Sequence, residues 1–289
     1  MDWFGPARPC ENITVTNCRL SSASSAVKFC DGNIAGIRNV TVDNCVISRS
    51  NRGLAFMTFD GGAVENVVLS NLTIETVRHD WFWWGDGEPF HFDIRKRSEV
   101  HAGWPKDKDR PAGAIRNVKI QNVVARGFGS SVCNGHPDSW LDGISFENVR
   151  LVMAHDPAAP YDKAEHAIVF KQARNLRLRD FEVVWESPLY SRWRSAFAFD
   201  EVEGLTLDGL SARQAQAGGA DPAVLFRRVS GASIRDCRAG AGTGTFLLFS
   251  GPGSRDVRLG ANDVRLARTY YGFAEGADPG AVLEAGKKD

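Results

Sequence analysis

Apolar and polar residues alternate along most of this chain in bursts of five or six positions, and the bursts recur. ENITVTNCRL (11–20), RNVTVDNCVI (38–47) and ENVVLSNLTI (65–74) share the order apolar–x–apolar–x–Asn–apolar. RNVKIQNVVA (116–125), DGISFENVRL (142–151), RNLRLRDFEV (174–183), EGLTLDGLSA (203–212), GASIRDC (231–237) and RDVRLG (255–260) continue it. A period of two is that of a strand with one buried face. Aligned on Asn12, the units begin at Asn12, Asn39, Asn66, Asn117, Gly143, Asn175, Gly204, Gly231 and Asp256, spaced by 25 to 32 residues except for one step of 51. A second short strand recurs between them: AVKF (26–29), GLAF (53–56), PFHF (89–92), AIVF (167–170), AFAF (196–199) and AVLF (223–226). Self-similarity at this period, without helical periodicity, is the signature of a solenoid. The pattern predicts an all-β chain, a right-handed parallel β-helix of about nine coils. It is expected to be one domain over 1–289, with an N-terminal segment at 1–10, an inserted loop and strand at 75–114 and a C-terminal tail at 275–289.

Two columns in the repeat take a structural reading. Asn12-Ile-Thr, Asn39-Val-Thr and Asn71-Leu-Thr are formal glycosylation sequons. The first asparagine column continues at Asn66, Asn117 and Asn175 without one, so stacked, turn-forming asparagines are expected. Cys18, Cys45 and Cys237 share a column with Leu, Val and Phe, which predicts buried thiols rather than disulfides.

The long step breaks the monotony. In solenoids, insertions collect as loops on one face, often the binding face. This one carries WFWWGDGEPFHFDIRKR (81–97), where tryptophans, acids and basic residues crowd together. In the second strand Val27, Phe29, Leu54, Phe56, Phe90 and Phe92 should point inward, so Lys28, Ala55 and His91 form one outward stripe, with Met57 and Asp93 beside it. A groove walled by Trp83 and Trp84 and furnished with Lys28, Arg52, Asp86, Glu88, His91 and Asp93 suits a sugar. Indole faces pack on pyranose C–H groups, and acids supply hydrogen bonds or proton transfer. Glu88 is the expected general acid, its pKa raised by flanking Trp84, Pro89 and Phe90. Asp93 is its partner base or nucleophile, Asp86 a third catalytic carboxylate, and Lys28, Arg52, Trp83, Trp84 and His91 bind substrate. RKRSEVHAGWPKDKDR (95–110) reads as a solvated loop, and 154–166 as a smaller insertion.

Composition narrows the classes. Basic and acidic residues are equal at 35 each, so no global field points to nucleic acid or a membrane. No apolar run reaches the ~18 residues of a membrane helix, and MDWFGPARPC has neither a basic n-region nor an apolar h-region. With no CxxC pair and no D-x-D-x-D-G loop, no metal or other cofactor is expected. MDWFGPARP is too short and proline-rich for a capping helix, so the first coil is expected to be uncapped and to self-associate.

CENITVTNCRLSSASSAVKF and GIRNVTVDNCVISRSNRGLAFMTFDGGAVENVVLSNLTIET resemble the catalytic half of glycoside hydrolase family 28, the polygalacturonase group, over roughly residues 10–125. The resemblance implies a pectin-lyase-like right-handed β-helix, inverting hydrolysis of a pectic or related polysaccharide, and a secreted or periplasmic location. The family's Gly-His-Gly histidine falls near Ser25, and its Arg-Ile-Lys triplet on Ala55-Phe56-Met57. Its paired aspartates would lie upstream of the first similar repeat, so a divergent and N-terminally truncated member is expected. A polysaccharide lyase or epimerase, or a non-catalytic polysaccharide-binding β-helix, is the alternative.

Overall fold

The computed structural model describes residues 7–30, 32–79, 85–155 and 163–284. Its strands pair in parallel, each with the equivalent strand one coil away. Cys10–Thr16 pairs with Ile37–Ser50, followed by Ala63–Thr76, Ala114–Gly127, Leu141–Met153 and Arg177–Trp185. A second row runs Ser25–Phe29, Arg52–Thr58, Phe90–Ile94, Ser131–Asn134, Ile168–Arg174, Phe197–Glu203 and Pro222–Arg235, then Thr243–Ser250 and Ala267–Ala274. Val40 lies between Ile13 and Val67, the register the alternation requires. A slip by one residue would turn every inward side chain to solvent, so the apolar pattern pins the pairing.

Between the rows lies a core of stacked columns. Phe29, Phe56 and Phe92 stack with ring centroids 4.4 Å apart at each step. Phe170, Phe199, Phe226, Phe249 and Phe273 form a second stack farther along. Cys45 and Cys237 are buried, and the Cys18 amide donates to Cys45 Sγ at 3.4 Å. All six cysteines are free thiols.

The corners explain the asparagines. Asn12, Asn39, Asn66, Asn117 and Asn175 have φ of 60, 57, 57, 53 and 54°. Asparagine and glycine tolerate this left-handed region better than other residues, and Gly143, Gly204 and Gly231 replace asparagine in the column at similar φ. Each side chain also bonds its neighbour: Asn39 Nδ2 donates to Asn12 Oδ1 at 3.1 Å, and Asn66 to Asn39 and Asn117 to Asn66 at 3.3 Å. A second column, through Asn17, Asn44, Asn71, Asn122 and Asn148, has the same backbone and similar side-chain bonds, except that Asn71 donates to Asp43 at 2.8 Å instead of to Asn44. The sequon asparagines Asn12, Asn39 and Asn71 are therefore members of these ladders.

Beside the first asparagine column runs a row of alternating sign: Glu11, Arg38, Glu65, Arg116, Asp142, Arg174 and Glu203 are successive register partners. Arg38 meets Glu11 at 2.5 Å, Arg116 meets Glu65 at 2.8 Å, and Arg174 meets Asp142 at 2.9 Å. At the N-terminal end Ile13, Val15, Cys18 and Leu20 are only half-buried, and Cys10–Thr16 pairs on one side alone among the described residues.

Candidate functional site

The Lys28–Ala55–His91 stripe forms as the alternation predicts, with Met57 beside Asp93. The turn 85–88 is fixed beside it because Gly87 O accepts from Thr76 Oγ1 at 2.5 Å, Phe128 N at 3.0 Å and Gly129 N at 3.2 Å. Gly85, at φ 111°, passes so close to Arg52 that a Cβ there would sit 2.9 Å from the guanidinium Nε. That approach brings the insertion's acid onto the arginine of the neighbouring coil.

Arg52 Nε donates to Glu88 Oε1 at 2.6 Å, and the Asp86 amide donates to Glu88 Oε2 at 2.6 Å. His91 Nδ1 lies 3.1 Å from Glu88 Oε1, and His91 Nε2 lies 4.0 Å from Asp93 Oδ2. Glu88 is 4% exposed, Asp93 5% and His91 7%. The Nδ1–Glu88 approach is off the in-line direction of a full hydrogen bond, so both ring nitrogens are buried without an aligned partner among the described residues. Asp93 is held from its far side by Arg95 Nε at 2.9 Å.

These contacts set the charge of Glu88. Burial alone would raise its pKa, but the close approach and charge of His91, the charge of Arg52 and the Asp86 amide outweigh burial and hold it at about 2. The expected direction is therefore reversed. Flanking apolar residues do bury Glu88, yet an arginine and a histidine come with the burial, and a general acid cannot be an ionised, ion-paired carboxylate. Asp86 moves the other way. Burial and the charge of Glu88 raise its pKa, against opposition from Lys163, Arg78 and Arg52. The insertion thus holds two carboxylates two residues apart whose environments push them in opposite directions.

Lys28, Arg52, His91 and Asp93 line one cleft of about 370 Å³. Glu88 lies behind His91 and Arg52 and does not line it, and neither does Asp86, whose carbonyl packs against Gly129. Trp83 and Trp84 lie outside the described residues. The opposite wall, formed by Val100, His101 and Ala102, was not foreseen, because 95–110 reads as a solvated loop. In the structure it holds a short helix, Arg97–Val100, clamped to the rod. Arg97 forms a two-point ion pair with Asp60 and lies over the Phe59 ring, while Ser98 bonds Asp109. The available signal was Asp60 just after Phe59, facing an insertion rich in arginine. Pairing them needs contacts 37 residues apart with no repeat to align them.

No protein-family model matches the chain, and no curated protein matches it. The family 28 resemblance therefore rests on the quoted segments. Among solved structures, the chain is similar to a GH136 lacto-N-biosidase from Eubacterium ramulus, at 11% identity and a TM-score of 0.45 over 91% of this chain. It spans about half of that protein, 51% of its length. It is also similar to the A-modules of the Azotobacter vinelandii mannuronan C-5 epimerases AlgE4 and AlgE6, each at 14% identity. Their TM-scores are 0.35 and 0.30, over 94% and 95% of this chain and 91% of each module.

Proposed function

We propose that this chain is a carbohydrate-active enzyme that cleaves a glycosidic bond in a polysaccharide of pectic or related type. The observation that carries the reading is the buried row Glu88–His91–Asp93, opening into a cleft with Lys28 and Arg52 at its side. The ionised Glu88 carboxylate, 3.1 Å from Nδ1, orients the imidazole by its charge, so that Nε2 lies on the Asp93 side. In its imidazolium form His91 can pass the Nε2 proton to a leaving glycosidic oxygen and return to neutral imidazole, while the Asp93 carboxylate takes a proton from the attacking water. Glu88 then serves as a positioning residue.

A second reading has its own support. Lys28, Arg52 and Arg95 all line the cleft, and cations beside a buried base would neutralise a uronate carboxylate for β-elimination or epimerisation. One incubation with polygalacturonate separates the reactions. New reducing ends without unsaturated product support hydrolysis, and unsaturated product supports elimination. His91→Gln and Asp93→Asn should each lower turnover about 10²- to 10⁴-fold while leaving binding within a fewfold. Binding with no product in the wild-type protein would make this a binding module.

For the whole chain we propose one right-handed solenoid of about nine coils, the hand that parallel β connections take. The strand Cys10–Thr16, which pairs on one side alone among the described residues, would dock on a second copy through Ile13 and Val15.

A further inference from the structure

A second cleft of about 370 Å³ opens along the corner of the rod, away from the His91 cleft. One wall is a projecting hairpin in which His136 N donates to Ser139 O and Ser139 N to His136 O, both at 2.9 Å. The hairpin is anchored to the insertion by Lys96–Asp138 at 2.6 Å and Glu99–His136 at 3.2 Å. Ser139, Trp140 and Glu203 line the cleft, with Arg116, Arg174 and Asp138 around them.

The charges there are mostly satisfied within the protein. Arg116 pairs with Glu65 at 2.8 Å, Arg174 with Asp142 at 2.9 Å, and Asp138 with Lys96. What remains among the described residues is the Trp140 indole N–H, the Ser139 hydroxyl and the Glu203 carboxylate, none of which has a side-chain partner. Trp140 is half-buried, so part of its indole is open to a ligand as well as to solvent. Here Trp140 lines a cleft together with a carboxylate that is acceptor-only and a hydroxyl that both donates and accepts.

We propose that this cleft is a non-catalytic binding site for a neutral saccharide. The sugar ring lies on Trp140 and its hydroxyls bond Glu203 and Ser139. An aromatic platform with a few converging polar groups is the chemistry of a sugar site. Neutral sugars are selected because Glu203 is the charge left unpaired, and it repels an acidic unit. The proposal goes beyond the His91 cleft and stands without it.

The test follows the Trp140 indole N–H by NMR in the full ¹⁵N-labelled chain, with the signal assigned by its loss in Trp140→Phe. The probes are galactotetraose, cellotetraose and xylotetraose, with tetragalacturonate as the acidic counterpart, at millimolar concentration. At least one neutral probe should shift this signal. Glu203→Gln should weaken that titration about three- to tenfold, and His91→Gln should leave it unchanged. An indole unmoved by all three neutral probes overturns the site, as does a titration abolished in His91→Gln. A tetragalacturonate shift as strong as the neutral one overturns the assignment to neutral sugars. None of these outcomes alters product formation at His91, so failure here is distinguishable from failure of the enzymatic reading.

Discussion

Phe56 and Ala55 are consecutive residues of one strand that face opposite worlds. Inward, Phe56 continues a column in which one solution, a stacked phenyl ring, is repeated from coil to coil. Outward, Ala55 belongs to a row that reads Lys28, Ala55, His91, Val132, with no residue type repeated. The same backbone register serves both. Packing energy in a solenoid is approximately a sum of similar neighbour terms, so the inner face can be periodic. The inner column departs from phenylalanine at Cys133, still an apolar residue, whereas the outer row changes its chemistry at every coil.

The largest effect should come from breaking the inner column. Phe56→Ala removes a ring stacked on both sides and fully buried. It should cost about 3–5 kcal/mol, read as a lowered midpoint in urea unfolding, with the outer row still in register.

The next tests the outer face through pH. Glu88 is held at about 2 in the folded chain against an ordinary 4.5. Its depressed value contributes stability that is complete above about pH 4.5 and disappears as pH falls through about 2. The contribution is about 3 kcal/mol. Denaturation of the wild-type protein between pH 5 and pH 2, compared with Glu88→Gln, should show an acid-labile component that the variant lacks. Parallel curves would mean that Arg52 and His91 do not hold the carboxylate ionised.

A smaller effect belongs to the corners. Asn39→Ala puts alanine, which tolerates φ 57° less well than asparagine, at this corner and removes a side chain bonded to Asn12 and to Asn66. A loss of about 1–2 kcal/mol is expected, and Asn39→Gly should recover most of it, as Gly143 and Gly204 do in the native column. The smallest effect should be that of Arg38→Gln in the alternating charge row, below about 1 kcal/mol at this exposed position. A larger loss would mean that the row helps to set the register and is more than a solvated edge.

The legible part of the protein follows one rule. Every feature that repeats depends on a residue and its counterpart one coil away, so alignment of the sequence on itself was enough. The strand rows, the inward phenylalanines, the turn asparagines and the Lys28–Ala55–His91 stripe were all available from spacing. Arg52, His91 and Asp93 could be gathered at one cleft for the same reason, because the strands carrying them stay in register.

What the sequence could not determine lies where the period stops. It placed Glu88 among apolar neighbours, but ionisation depends on the Arg52 guanidinium 2.6 Å away and His91 at 3.1 Å. Those are three-dimensional approaches that hydrophobic spacing does not encode. The loop at 95–110 looked solvated because its charges had no visible counterparts, and only the folded chain brings Arg97 to Asp60 and turns that loop into a wall. Trp140 carried no signal at all, since its cleft is assembled from a hairpin and the ends of strands on several coils. Periodic contacts can be read along a chain because each repeat restates them, whereas a single long-range charge pair is stated once, and only the tertiary structure decides where it closes.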